Sequence, residues 1–230
     1  MADDKIDILK RAELFRGLDL DVLELLASHA SERRLGRDEI LFMAGDPAVG
    51  FYVIAEGSVR AYRSGPDGRE QVIHVERAVT TIAEVAVFDD GAYPSTVAAE
   101  EPARVLSIRK KDVRSACVRH PALALAAARL MATRLRKCAE LVESLSLREV
   151  GQRVASLFLA EATTRGVMTA HGIRFEQPLT HSQLAARIGT VREVVTRTIA
   201  RLQSQGLIRI DGKTITVPDI KALGTYADSE

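Results

Sequence analysis

IGTVREVVTRTIARLQ, residues 188–203, decides how the rest of the chain is read. A Gly and a Thr precede an amphipathic run whose first turn sets Arg192 beside Glu193, with Arg197 one turn on. A helix that only supports a fold favours acids at its start, because the positive end of the helix dipole lies there. A cation at that end needs another reason. Upstream, THSQLAARI (180–188) predicts a first helix, with Thr180 as N-cap, Leu184, Ala185 and Ile188 inward, and Gly189 as the turn that follows. The second helix is expected to start near Thr190 and to bury Val191, Val194, Val195, Ile199 and Leu202. That leaves Arg192, Glu193, Thr196, Arg197 and Arg201 on its outer face.

This is helix-turn-helix spacing, in which the first residues of the second helix enter the major groove of DNA. Arg can pair with O6 and N7 of guanine, and Glu can accept from cytosine N4. Thr196 and Arg201 suit phosphates, which position a protein without specifying sequence. Thr180 and Ser182, at the head of the first helix, complete the predicted DNA-binding set. The competing reading is a solvated face with Glu193 paired to Arg197 at i, i+4. Next in the chain, GLIRIDGKTITVPD (206–219) carries Asp211-Gly212 between two alternating runs, a hairpin signal that predicts a β wing.

Working outward, residues 121–147 contain no Gly or Pro after Pro121, which suits the start of a helix. Ala124, Ala128, Met131, Leu135, Cys138, Val142 and Leu145 recur in steps of four and three, a heptad seam suited to a second copy of the chain. A second stripe of Leu123, Ala127, Leu130 and Leu141 lies beside it and is expected to pack on the preceding domain. That domain changes texture from about Arg33 to Arg109. FYVIAEG, SVRAYRS, REQVIHVER, STVAAE and ARVLSIR are Val-, Ile- and Tyr-rich runs separated by Gly-Asp-Pro, Gly-Ser, Gly-Pro-Asp-Gly and Asp-Asp-Gly turns. Short strands so spaced predict a small barrel or sandwich of roll type. Residues 5–30 read as helical. The expected fold class is α+β: residues 1–120 an N-terminal helix and β-roll, 121–146 a dimerisation helix, and 147–230 a winged helix-turn-helix.

Composition bounds the function. A net charge of +1 with 27% charged residues argues against a protein basic all over and leaves room for a local basic face. Cys117 and Cys138 form no CxxC pair, which excludes a disulfide framework or a Cys-built zinc or iron–sulfur site within one chain. MADDKIDILKRAELF lacks a signal pattern and no apolar run approaches 18 residues, so a cytoplasmic protein with no membrane partner is expected. With no Ser/His/Asp set, metal motif or Gly-rich phosphate loop in a fitting context, it is not expected to be an enzyme.

With these parts in place, the chain resembles the CRP/FNR family of bacterial transcription regulators over nearly its whole length. FMAGDPAVGFYVIAEGSVRAY (42–62) matches the family's F-x-x-G-D…Y-x-I-x-x-G-x-V pattern, which implies a cyclic-nucleotide-binding type of roll. The resemblance implies a homodimer on a palindromic DNA site, base contacts by Arg192, Glu193 and Arg197, and RNA polymerase as a further partner. It also places an effector pocket at Glu84, Ser95, Thr96 and Cys138. Members that bind cyclic AMP carry G-E-L-x-L…R-S/T-A, whose Glu holds the ribose and whose Arg clasps the phosphate. Here the segment is AEVAVFDDGAYPSTV (83–97): Glu84 and Ser95 remain, Ala83 replaces the Gly and Pro94 takes the Arg position. Pro offers neither charge nor donor, and the lost contact is of the charge-assisted kind. This argues against cyclic AMP and gives Glu84 a competing role as a carboxylate bonded to local backbone amides.

Other sensing chemistries would each leave a mark in the sequence. Residues 1–35 hold no Cys, which excludes an oxygen sensor of the FNR type. Tyr93-Pro94 resembles the haem-using, nitric-oxide-responsive branch, and His29, His74 and His120 are candidate axial ligands, none singled out by spacing. Cys138 on the seam, with Arg134, Arg136 and Lys137 nearby to lower its thiol pKa, is a candidate redox switch, and Cys117 also lies in a cationic stretch. Two alternatives remain: a constitutive regulator whose pocket is filled by its own side chains, and a ligand-binding regulatory module that never touches DNA.

Overall fold

The computed structural model describes residues 2–229. Contact density divides them into two compact units. One runs to Arg63 and takes in Ile73–Cys138; the other comprises Ser64–Val72 and the chain from Ala139 on.

The first unit opens with α1 (Ala2–Arg11), a single 3₁₀ turn (Glu13–Phe15) and α2 (Leu20–His29). The helical run expected over 5–30 is therefore broken, at a left-handed Gly17 (φ 80°), although Leu14 and Phe15 in the break stay buried. Eight strands follow: β1 (Ser31–Leu35), β2 (Ile40–Phe42), β3 (Gly50–Glu56), β4 (Ser58–Ser64), β5 (Glu70–Arg77), β6 (Thr81–Ile82), β7 (Thr96–Ala99) and β8 (Ala103–Arg109). They form two four-stranded sheets, ordered β1-β8-β3-β6 and β2-β7-β4-β5. The one-turn α3 (Val85–Phe88) lies between β6 and β7, and α4 (Lys110–Arg119) leads into α5 (Pro121–Leu147).

Side-chain alternation along β3 explains the layering. Tyr52 and Ile54 face a core shared with Phe42, Val59, Val97 and Val105 from both sheets. Phe51, Val53 and Ala55 face a second core made with α1, α2, α4 and α5, so β3 is buried on both sides and reads as a continuous apolar run. Leu123 and Ala127 of α5 are wholly buried in that second core and Leu130 packs on it, which is the stripe expected to meet the roll. The seam positions on the same helix are turned outward. Ala124, Ala128, Leu135, Cys138 and Val142 are exposed, Leu135 by 72% and Val142 by 63%, and Met131 is half-buried.

The second unit contains α6 (Val150–Arg165), the strands β9 (Val167–Thr169) and β10 (Gly172–Glu176), α7 (His181–Ile188), α8 (Arg192–Ser204), β11 (Arg209–Asp211), β12 (Thr214–Val217) and α9 (Ile220–Ala227). The predicted wing is the β11–β12 hairpin, with Asp211 opposite Thr214 and Gly212 at φ 58° in its two-residue loop. It joins β10 and β9 in a sheet ordered β11-β12-β10-β9. A core of Val154, Phe158, Phe175, Leu184, Ile199 and Leu202, among others, holds helices and sheet together. Among the described residues no helix is long and apolar enough to cross a membrane.

Candidate DNA-reading face and effector pocket

The turn between α7 and α8 is built from local chemistry. The Thr180 hydroxyl accepts from the Gln183 N–H at 3.3 Å while the Gln183 side-chain oxygen accepts from the Thr180 N–H at 2.9 Å, a closed capping box. Thr180, placed among the DNA-binding candidates, is thus occupied in starting the helix. Gly189 ends it in the left-handed conformation (φ 71°, ψ 53°), and a Cβ there would collide with Leu145 Cδ2. Leu145, the last expected seam position, is half-buried inside the second unit, as Met131 is in the first.

α8 begins at Arg192 and not near Thr190, because Val191 is extended (φ −112°, ψ 156°) and serves as the N-cap. Val195, Ile199 and Leu202 are buried as expected, Val191 and Val194 are half-buried, and Thr198 takes an inward place that the sequence pattern did not assign. Arg192, Glu193, Thr196, Arg197, Arg201 and Ser182 are all exposed. Among the described residues no ion pair engages Arg192, Glu193 or Arg197, so the Glu193–Arg197 pair of the competing reading is not formed. Arg201 differs. Its Nη2 donates to Tyr226 Oη at 2.7 Å and crowds Gly151, so it braces α8 against α9 and the first turn of α6. Arg197 shares a hollow with it, lined also by Glu149 and Val194. The opposite flank of α8 holds Thr196, bonded to His181 of α7.

The roll encloses a cavity of about 240 Å³ beside α3. Apolar groups from Phe42, Ile73, Ile82, Val85, Pro94 and Val97 line most of it. Phe42 is fixed by stacking on Tyr93 (centroids 3.8 Å apart) and Tyr52 (5.5 Å), and the Tyr93 hydroxyl donates to the Gly50 carbonyl at 2.8 Å. Ala83 sits at φ 74°, a conformation natural to glycine and strained for alanine. Of the predicted pocket residues, Glu84, Ser95 and Cys138 line the cavity, Cys138 at its exposed rim. Thr96 does not: strand alternation turns it the other way, where its hydroxyl accepts from the Ala44 N–H at 3.1 Å.

Glu84 is 1% exposed, and beside the local backbone expected for it, which contributes through its own amide, it has a charged partner. Arg134 of α5 donates through Nη1 to Glu84 Oε2 and through Nη2 to the Thr81 carbonyl. Burial pushes the Glu84 carboxyl up, against the pull of the Arg134 guanidinium. The same guanidinium lies 3.5 Å from Glu76 Oε1, which is 3.3 Å from His74 Nδ1 without hydrogen-bond alignment. Burial alone would raise Glu76, but His74, Arg134 and Lys137 together hold it below its ordinary value. Sequence reasoning missed Arg134, Glu76 and His74 as pocket residues. One signal was available: Arg134 falls between Leu130 and Leu141 in the apolar stripe that packs on the roll, and a cation in a buried stripe calls for a buried anion.

Haem does not fit these residues. The cavity is smaller than the roughly 300–1,000 Å³ of ordinary ligand pockets. The Tyr93 hydroxyl is committed to Gly50, and His74 stands against Glu76. Cys117 is half-buried and burial pushes its thiol up, away from the reactive thiolate.

Comparison with known proteins gives two matches along the chain. The family described as cyclic nucleotide-binding domain matches residues 32–120, and that described as Crp-like helix-turn-helix domain matches residues 152–226. The chain is 28% identical over 221 residues to a CRP-like cAMP-activated global transcriptional regulator of Mycobacterium tuberculosis, covering 96% of this chain and 99% of the relative. It is 28% identical over 219 residues to the cyclic AMP receptor protein of Thermus thermophilus, covering 95% and 98%. Among solved structures, the c-di-GMP-responsive global regulator CLP of Xanthomonas campestris superposes with a TM-score of 0.76 at 21% identity, over 87% of this chain and 100% of that one, a likeness of fold.

Proposed function

This chain belongs to the CRP/FNR family of DNA-binding transcriptional regulators, and from that premise we propose that it works as a homodimer on a pseudo-palindromic site. Residues 147–230 are the reader, 121–146 the dimerisation helix and 1–120 the sensor. Two copies of α8 enter successive major grooves, their centres about one helical turn, roughly 34 Å, apart. Arg192, Glu193 and Arg197 contact base edges; Thr196, Ser182 and the head of α7 lie against the backbone. The observation that carries this reading is that all three base-reading candidates are exposed and, among the described residues, free of ion pairs, in a helix whose opposite face is packed. The exposed seam through Ala128, Leu135 and Val142 supports the second copy as partner. The protein acts in the cytoplasm, with RNA polymerase as its further partner.

The effector is not cyclic AMP. Pro94 occupies the place of a phosphate-clasping Arg, and Glu84, which would hold a ribose, is already paired with Arg134. An effector in the roll acts by biasing α5, since Arg134 links the pocket to that helix.

The test is selection of bound duplexes from a random pool with the full-length protein. The expected result is two inverted half-sites about one turn apart and affinity that falls steeply with salt. Enrichment of a single unrepeated half-site removes the homodimer, and binding indifferent to salt removes the reading as a whole.

A further inference from the structure

Resting on the reading of the roll as a sensor, the geometry assigns the ligand class: a small, uncharged, largely apolar molecule with one hydroxyl or amide group that bridges Glu84 Oε1 and Arg134 Nε.

Arg134 spends Nη1 on Glu84 Oε2 and Nη2 on the Thr81 carbonyl. That leaves Glu84 Oε1, an acceptor, and Arg134 Nε, a donor, both buried and without a hydrogen-bond partner, on two residues that line the same cavity; His74 Nδ1 on that lining also lacks an aligned hydrogen bond but stands 3.3 Å from Glu76 Oε1. Buried polar atoms are nearly always satisfied, and each exception calls for a missing partner. A group that both donates and accepts answers both orphans at once. A hydroxyl does so through one oxygen, and an amide through its N–H and carbonyl.

Charge narrows the class. The ionisable groups on the lining are Glu76, Glu84, Arg134, Lys137 and His74, with the Cys138 thiol at the rim. The two carboxylates and the two cations of Arg134 and Lys137 balance. Arg134 is paired directly with Glu84 and lies beside Glu76. A carboxylate or phosphate ligand would have to take Arg134 from Glu84 and strand that carboxylate. An ammonium ligand would bring a further cation beside Arg134. An isolated charge in such a place is expensive, whereas a neutral group leaves the ion pair intact.

Size and walls supply the rest. At about 240 Å³ the cavity admits a single ring or a short chain, and Ile73, Ile82, Val85 and Val97 offer carbon on the sides away from Glu84. Water can bridge the two orphan atoms but leaves those walls wet; a carbon skeleton covers them. Because the bridged atoms belong to α5 and to the roll respectively, occupancy fastens the helix to its sensor.

The experiment is calorimetric titration of the full-length protein with four probes that share one apolar body: 2-phenylethanol, phenylacetate, 2-phenylethylammonium and ethylbenzene. The expected result is binding of the alcohol roughly tenfold or more tighter than any of the other three. Ile73→Trp and Val85→Trp fill the cavity from half-exposed and exposed positions, and each abolishes binding while the thermal transition is retained. Tighter or equal binding of the acid or the amine overturns the proposal. So does ethylbenzene matching the alcohol, alcohol binding that survives both Trp variants, or no binding by any of the four. The same samples assayed without probe on a selected DNA duplex report on the regulator separately. Loss of DNA binding with alcohol binding intact sinks the reading of function and leaves the pocket chemistry standing.

Discussion

His181 Nδ1 lies 2.8 Å from Thr196 Oγ1, and the Thr196 hydroxyl itself donates to the Arg192 carbonyl at 3.0 Å. The Thr proton is therefore spent on the backbone, and the imidazole Nδ1–H is the donor to Thr196. One chain of two hydrogen bonds ties the head of α7 to the first turn of α8, at the residue expected to meet the groove first. Neither helix alone sets the angle at which Arg192 is presented.

Thr196→Val keeps the shape of the side chain and removes both bonds. It is expected to lower the stability of the second unit by about 1 kcal/mol, the usual net worth of such bonds. It should also narrow the gap between specific and random DNA. Denaturant melts and competition binding check this; unchanged discrimination would mean that the link is decorative.

Arg197→Ala and Arg201→Ala should part company. Arg197, exposed and unpaired, is expected to cost about 1–3 kcal/mol on the selected site and to relax preference at one base position. Arg201, bonded to Tyr226, is expected to weaken specific and random DNA alike and to lower the melting temperature. If Arg197→Ala loses equally on both DNAs, its role as a base reader falls.

Arg134→Met leaves Glu84 buried beside an apolar chain. The expected loss is about 3–5 kcal/mol of stability near neutral pH, much of it recovered by adding Glu84→Gln. Burial already raises the Glu84 carboxyl, and removing Arg134 raises it further. The destabilisation of the single variant must therefore be greatest at high pH and shrink as the carboxyl protonates on acidification. A penalty independent of pH would refute the account.

Leu135→Glu changes a side chain that is 72% exposed in the single chain. The variant is expected to fold normally, to sediment at half the wild-type mass, and to bind the two-half-site duplex at least roughly tenfold more weakly because the linked second contact is lost. A monomeric wild type, or a variant that remains dimeric, would move the interface elsewhere.

Asp90 stands 2.8 Å from Lys110 Nζ and 2.9 Å from Arg114 Nη1, and hydrogen bonds from Lys110 and then Arg114 hold its carboxyl down to about 2 from an ordinary 3.8. Its contribution is complete above the unfolded value of 3.8, declines as pH falls from there, and is gone below about 2. Asp90→Asn, which tolerates the left-handed backbone at this position (φ 60°), should therefore differ from wild type at pH 5 and converge with it as pH approaches 2. Urea midpoints along that series provide the check, and a constant difference would contradict it.

Much of the reader was legible because its signals are local. Thr180 and Gln183 cap α7 from three residues apart, Gly189 is needed where the backbone turns left-handed, and the period of 3.6 sorts α8 into a packed and a free face. The wing followed from Asp211-Gly212 and the alternation around it. The roll was legible as texture but not strand by strand. β6 is two residues long, and β1, Ser-Glu-Arg-Arg-Leu, reads as polar because four of its five side chains are exposed.

Sequence alone therefore determined the order of the parts, the family pattern and the exposed face of α8, all written in spacings of a few residues. Tertiary structure decided the pocket. Glu84 and Arg134 are 50 residues apart, and only the packing of α5 on the roll brings the guanidinium to the carboxylate. The same packing turned Thr96 away, and contacts within the second unit set Leu145 against Gly189 and gave Arg201 to Tyr226. Periodicity tells which side of a helix or strand a residue occupies. What stands opposite it is set by the rest of the chain folding around it, and buried charges take the partner that this packing supplies.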